Sequence, residues 1–243
     1  MKKIKTIGLL FILTFTFNNY VFAQEATKGD KVKEGKQIIA KLKSTGAAID
    51  SFKANFTLEP VEKNKEKEIT ACEVIYKKPN KFKETSSQQS GILGSNNYVV
   101  QQILFSDGEN LWFYLPSQQI AIKEKLSLTK LANLAGMIID PFYEISKNSL
   151  VYKGIEEVDG EKLFIFEGRK LKNIPPEESE GSVRIAFDSR NLLYKRIESY
   201  LPSGNTVTIT CNKIELNVPI LNEDLALKIP KEVLVQEVHR KAN

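Results

Sequence analysis

The chain carries a single histidine, His239, and it sits in the polar tail VHRKAN. That scarcity argues against a Ser-His-Asp triad and against histidine-rich metal centres. Cysteine is nearly as rare: Cys72 and Cys211 are the two, and no CxxC pair exists. No glycine-rich phosphate loop and no internal repeat of fixed period is visible. Past the first twenty-odd residues, no apolar run is long enough to cross a bilayer. A carboxylate- or lysine-based active site is not excluded by these absences, but no motif proposes one. The expectation is a protein without catalysis, cofactor or metal.

The first residues, MKKIKTIGLLFILTFTFNNYVFAQE, do carry a signal. Lys2, Lys3 and Lys5 form a basic start, residues 7–17 an apolar run too short to span a bilayer comfortably, and Ala23 a small residue before Gln24. This is the pattern of a secretory leader cleaved near Ala23/Gln24, and it leaves residues 24–243 as a single domain. No cysteine follows the cut, so no lipid anchor is expected. Of the net charge of +5, three charges belong to the leader lysines, which leaves +2 for the remainder. A nucleic-acid partner is therefore not indicated. The product is read as exported, soluble and monomeric.

Residues 31–43 place Val32, Ile38, Ile39 and Leu42 at helical intervals, between a capping Asp30 and Gly46. Strand patterns follow at 51–58, 69–77, 82–86, 98–106, 109–115 and 118–123. Helical spacing returns at Leu128, Leu131, Leu134, Ala135 and Ile138, and Asp140-Pro141 ends it. Further strands are read at 150–155, 162–169, 182–188, 192–200, 205–216 and around 225–229, with a tail after Pro230. Turn signals every eight to twelve residues favour a large antiparallel sheet, curled or closed, of roughly ten or eleven strands with two helices.

One stretch does not fit a sheet with one wet face. FSDGENLWFYLP has a hairpin signal, Asp107-Gly108, and then five apolar or aromatic residues in succession, Leu111 to Leu115. Such a strand needs a cover on each side. In a curled sheet the second helix is the better lid over the concave face. On the residues alone, that helix completing a dry core ranks ahead of its covering a ligand cavity. Cys72 shares parity with Val74 and Tyr76, and Cys211 with Val207 and Ile209, so each faces the buried side. A disulfide and two separate buried thiols stay equally open.

Four segments together resemble the LolA family of periplasmic lipoprotein carriers. SFKANFTLE resembles its Ser-Phe-x-Ala-x-Phe element, and VIYKKPNKFK its strand ending in Lys-Arg-Pro-x-x-Phe. ILFSDGENLWFYLP resembles its Ser-Asp-Gly-x-x-Leu-Trp-x-Tyr-x-Pro segment, and VPILNEDLALKIPKEVLV its closing strand. The resemblance runs from about Ser51 to Val238. It implies an unclosed antiparallel barrel with helices as a lid, and a role carrying lipoprotein acyl chains across the periplasm. The implied partners are acylated lipoproteins, an inner-membrane ABC transporter of the LolCDE type, and a LolB-like outer-membrane acceptor. The implied lipid cavity is lined by Phe52, Phe56, Val74, Tyr76, Leu104, Leu111, Trp112, Phe113, Tyr114, Leu131, Leu134 and Ile138. The family's lid-latching arginine falls on Lys78, which keeps the charge without the planar fork of donors. The family's aromatic at the barrel mouth, where the transporter is met, falls on Phe82. A carrier of another lipid, such as a glycolipid or phospholipid, is the alternative. A sensor of the RseB type is a third reading, although such sensors normally add a second domain.

Overall fold

The computed structural model describes residues 29–61, 69–89, 98–126, 134–142, 145–146, 148–169 and 181–238. The leader, Leu128, Leu131 and His239 lie outside the described residues. No helix among those described is long and apolar enough to cross a membrane.

Helix α1 spans residues 29–47. Its buried positions are Gly35, Ile38, Leu42 and Gly46, followed by Ile49 just past the end. Those steps of three and four put one stripe against the sheet. Val32, expected on that stripe, is instead 54% exposed. The stripe uses glycine where backbones approach. A Cβ on Gly35 would stand 2.6 Å from the Tyr152 Cβ, and one on Gly46 would stand 2.0 Å from the Ile139 carbonyl oxygen.

The strands are β1 (Ser51–Val61), β2 (Thr70–Lys77), β3 (Lys81–Gln89), β4 (Tyr98–Asp107), β5 (Asn110–Leu115) and β6 (Ile120–Lys125). After the short helix α2 (Leu134–Ile139) come β7 (Val151–Val158), β8 (Glu161–Arg169), β9 (Ser182–Asp188), β10 (Tyr194–Tyr200), β11 (Thr206–Leu216) and β12 (Leu234–Val238). All twelve form one sheet in the order β12-β6-β5-β4-β3-β2-β1-β11-β10-β9-β8-β7. β7 and β12 are its two edges, so the barrel is unclosed, as the LolA resemblance implies. Every neighbouring pair is antiparallel except one, where β12 runs parallel to β6. That strand corrects the expectation at the C-terminus. Residues 225–229 are not a strand, and the closing strand comes later, beyond Pro230.

The register sorts every side chain to a face. Phe52 on β1 pairs Tyr76, Tyr76 pairs Phe82, Phe82 pairs Ser106, and Ser106 pairs Leu111. A second row runs Ala54, Val74, Glu84, Leu104, Phe113, Ile122. These rows face the concave side, where Ile38, Leu42, Phe52, Phe56, Val74, Phe82, Phe166, Phe187, Leu134 and Ile138 form one continuous core. Even positions of β5 face the other way. Tyr114 packs with Ala121 and Val233, and Ile103, Leu227 and Ile229 close around them. Nearby, Ile75 packs with Ile220 and Leu225, joined by Phe105 and Val218. Residues 217–233 thus lie across the convex face of β2–β6 before β12 joins the edge. Lysines pin that crossing. Lys53 pairs with Asp224 at 3.2 Å, Lys77 donates to the Ile220 carbonyl at 3.1 Å, and Lys83 to the Ala226 carbonyl at 3.4 Å. The convex cover of the LWFYL strand is therefore the C-terminal segment, a cover the sequence pattern does not indicate.

The glycine contacts of α1 give a direct check. Gly46→Ala must push α1 away from α2, and a loss of about 1–3 kcal/mol in urea unfolding is expected. A loss below about half a kcal/mol would mean that the two helices are not held at this separation.

Candidate functional site

The concave side divides into two halves of different character. Under α1, between β7–β11 and β1–β3, it is filled. Phe142 packs on Phe166 and Phe187 at ring-centroid distances of 5.4 and 5.7 Å, and Tyr194 meets Phe187 and Phe56 edge-on at 6.1 and 6.2 Å. Among the described residues, one cavity beneath α1 measures about 20 Å³, with Leu42, Gly46, Ile49, Ile138, Phe187 and Tyr194 among its walls. That is room for about one water and for no acyl chain. The Tyr194 hydroxyl is buried there without a hydrogen-bond partner among the described residues, and burial raises its pKa well above the usual value.

The other half is the inner face of β4–β6. Leu104, Leu111, Phe113, Leu115, Ile120 and Ile122 point inward and are only half buried. Leu104 and Leu111 touch the core from its margin. Helix α2 stands beside this face, over β2 and β3, with Leu134, Ala135 and Ile138 buried beneath it. The half-buried strip is thus an apolar, inward-facing surface beside α2.

The expected lining residues distribute unevenly over this geometry. Phe52, Phe56, Val74, Tyr76, Leu134 and Ile138 are fully buried core. Leu104, Leu111 and Phe113 lie on the half-buried inward strip. Trp112 and Tyr114 do not, because a strand alternates and their parity is convex. Trp112 lies under Lys123, whose ammonium is 5.3 Å from the ring centroid, and Tyr114 is covered by Val233. Phe82, expected at the rim, is 0% exposed and presents no surface to a partner. Its position pairs Tyr76 and Ser106 in the middle of a concave row.

Lys78 also acts elsewhere than expected. Its ammonium donates to the Ala47 carbonyl at 2.8 Å and to Asp50 at 3.1 Å. It therefore caps the C-terminal end of α1, where a cation suits the helix dipole. Its two bonds leave α2 unlatched. The cysteines are free. Cys72 and Cys211 each pair Phe56, from opposite sides of β1. Two strand spacings separate them, about 9.5 Å, beyond the roughly 7 Å that a bridge can span. Burial raises both thiols to about 11, so neither is a nucleophile at neutral pH.

The lid contact that does exist involves a residue the sequence reading passed over. Glu84 is 8% exposed, on the concave row between Val74 and Leu104. Its carboxylate accepts the backbone N–H of Leu134, the first residue of α2, at 3.2 Å. Burial pushes its pKa up to about 7, and the Leu134 hydrogen bond only partly restrains it. The signal was present in β3: in KFKETSSQQ, Glu84 shares parity with Phe82 and Ser86, so an inward Phe82 requires an inward Glu84.

A stability consequence follows from the sign of that shift. Between the ordinary value of 4.5 and about 7, folded Glu84 keeps its proton while the unfolded chain releases it. Stability should therefore fall as pH rises through this window, by about 3 kcal/mol at about 1.4 kcal/mol per pH unit. Asp188, lowered by the Arg190 hydrogen bond, and Asp224, lowered by the N–H of Leu221, act at more acid pH and in the opposite sense. Glu84→Gln should flatten the slope between about pH 5 and 8 in thermal unfolding and be the more stable protein at the upper end. An unchanged slope would assign the pH dependence to other groups.

No family model and no curated protein sequence matches the chain. Among solved structures, it is similar to an uncharacterized conserved protein from Thermus thermophilus. The two share 10% identity at a TM-score of 0.54, over 84% of this chain and 99% of that one. Looser superpositions are found with a LolA superfamily protein from Nitrosomonas europaea, at 14% identity and TM-score 0.40, over 79% of this chain and 97% of that one. A further one is with the Mycobacterium tuberculosis lipoprotein LppX, at 12% identity and TM-score 0.44, over 76% of this chain and 98% of that one. The Thermus likeness is one of fold, and it extends over most of this unclosed barrel.

Proposed function

We propose that the chain is a carrier that binds the acyl chains of lipoproteins in the groove between the inner face of β4–β6 and helix α2. The half-buried strip of Leu104, Phe113 and Ile122 carries this reading, because it is apolar, inward-facing and beside a short helix tethered through Glu84. Each CH₂ withdrawn from water contributes about 0.8 kcal/mol, so a chain of roughly fifteen gains on the order of 12 kcal/mol before the costs of opening. Walls of leucine, isoleucine and phenylalanine suffice for that, with no specific hydrogen bonds. Nothing in this use requires bond-breaking chemistry, and the reading is of a binding protein, not an enzyme.

In the fuller form of the proposal, the leader exports the chain to the periplasm. There it takes lipoproteins from a LolCDE-type transporter and passes them to an outer-membrane acceptor. The four sequence segments shared with the LolA family support this form. Carriage of a different lipid is favoured by one observation: Lys78, at the place of the family's latching arginine, caps α1 and leaves α2 unlatched.

Native mass spectrometry of the protein taken from its own envelope, followed by lipid extraction, separates the two. An acylated peptide or protein supports the lipoprotein form, and a glycolipid or phospholipid the other. Phe113→Lys should weaken acyl binding at least tenfold with a cost in stability below about 2 kcal/mol, since its site is half open. Ile155→Lys, at an exposed position on the far edge, should change neither. Equal loss in both variants would remove β4–β6 as the binding face.

A further inference from the structure

Resting on the acyl-groove reading above, we propose that Glu84 is the head-group receptor of the groove and selects acyl amphiphiles whose head is a cationic ammonium.

Three observations place the residue in that role. Glu84 lies in the same concave row as Leu104, Phe113 and Ile122, so an acyl chain on those residues brings its head to the carboxylate. Among the described residues no lysine or arginine pairs with it, although ten other charged contacts of the protein do find partners. Its hydrogen bond from the Leu134 N–H is long at 3.2 Å. A carboxylate buried with so little compensation costs several kcal/mol, and an apolar residue of similar size would cost nothing. A ligand that supplies the missing positive charge makes sense of it, because a charge-assisted hydrogen bond in a dry site is among the stronger ones.

Among the described residues, the neighbours add nothing cationic. β2 offers the neutral Cys72 thiol, β3 the hydroxyl of Ser86, β4 the amide of Gln102, and α2 (LAGMII) no ionisable group. The Leu134 N–H takes only Oε2, which leaves acceptor capacity on the same carboxylate for an incoming ammonium, so head group and α2 would meet at one residue. The ammonium must meet the ionised carboxylate, so the preference belongs to pH above about 7 and is lost below it.

Two natural heads offer this chemistry: the free amino terminus of a lipidated cysteine and the ethanolamine of a phospholipid. Calorimetric titration with monomeric dodecylammonium, dodecanol and dodecanoate at pH 8 tests the proposal. The wild-type protein should bind the amine at least tenfold more tightly than the carboxylate. Glu84→Gln, which keeps an acceptor for the Leu134 N–H, should bring the two within about threefold. Glu73→Gln, the same charge change on an exposed convex position of β2, should leave the preference intact. An unchanged ratio in Glu84→Gln overturns the proposal and leaves the groove standing. Failure of all three amphiphiles to bind the wild type overturns the groove as well. Should Glu84→Gln not fold, the wild-type ratio measured from pH 8 to pH 6 takes its place, and a constant ratio overturns the proposal. A diacylglyceryl-cysteine peptide with a free or an acetylated amino terminus, and phosphatidylethanolamine against phosphatidylglycerol, then separate the sources. Discrimination in either pair upholds the ammonium preference, and in neither pair overturns it.

Discussion

A strand that is apolar on both faces must be dry on both faces, and much of this architecture follows from that demand at β5. Leu111, Phe113 and Leu115 turn inward while Trp112 and Tyr114 turn outward. No single helix can serve two sides of a sheet. The chain meets the outward demand with residues 217–233, which lay Ile220, Leu225, Leu227 and Val233 across the convex face. That crossing explains the lysines of the convex row. Lys53, Lys77 and Lys83 sit where long stems cover apolar neighbours and their ammonium groups reach Asp224 or carbonyls of the segment. It also explains the one parallel pairing, because a chain that crosses the face returns to the edge of β6 in the same direction as β6.

With the convex face of β2–β6 covered, the concave side is free to differ from one end to the other. Under α1 phenylalanine and aliphatic side chains form one continuous buried core. Toward β4–β6 the same kind of side chain is left half covered. The contrast within a single sheet separates the part that holds the fold from the part that can change. Glycines at 35 and 46 press α1 onto β7 and α2 at backbone distance, so α1 is the fixed roof. α2 has a short apolar underside and a bond to Glu84.

Much of this was legible in the amino-acid order. The strands, the first helix, the Asp-Gly hairpin and the open-barrel class all lie in the periodicity and turn residues. The failures have physical causes. Val32 falls on a helical stripe in projection, but it lies in the first turn, one turn short of Gly35, where the stripe first meets Tyr152. Trp112 and Tyr114 were assigned to the groove because a two-sided apolar strand gives no parity signal by itself, and only register separates its faces. Residues 225–229 were read as a strand because an apolar segment looks alike whether it pairs by backbone or merely covers a face. Disulfide proximity was undecidable, since it depends on which strands neighbour β1. Glu84 carries no signal by residue type, because a glutamate in a strand is ordinarily solvent-facing, and only its parity with an inward Phe82 marks it.

On the carrier proposal, the placement of Glu84 also bears on why a costly residue would be retained. A groove that held its cargo by apolar contact alone would release slowly, since each buried methylene adds to the barrier for leaving. Discrimination among acyl chains by walls of leucine and phenylalanine is weak as well, because such walls fit any alkyl group. A buried carboxylate changes the balance on two counts. It lowers the affinity of neutral and anionic lipids, which are abundant competitors in any envelope, by the cost of desolvating its charge. On the ammonium proposal it would also bring the head group to the carboxylate that holds α2, which would link occupancy to the position of the lid. A residue that destabilises the empty protein above about pH 7 then stabilises only the complex with the matching head. That is the property a reversible carrier needs, and no arrangement of apolar side chains could supply it.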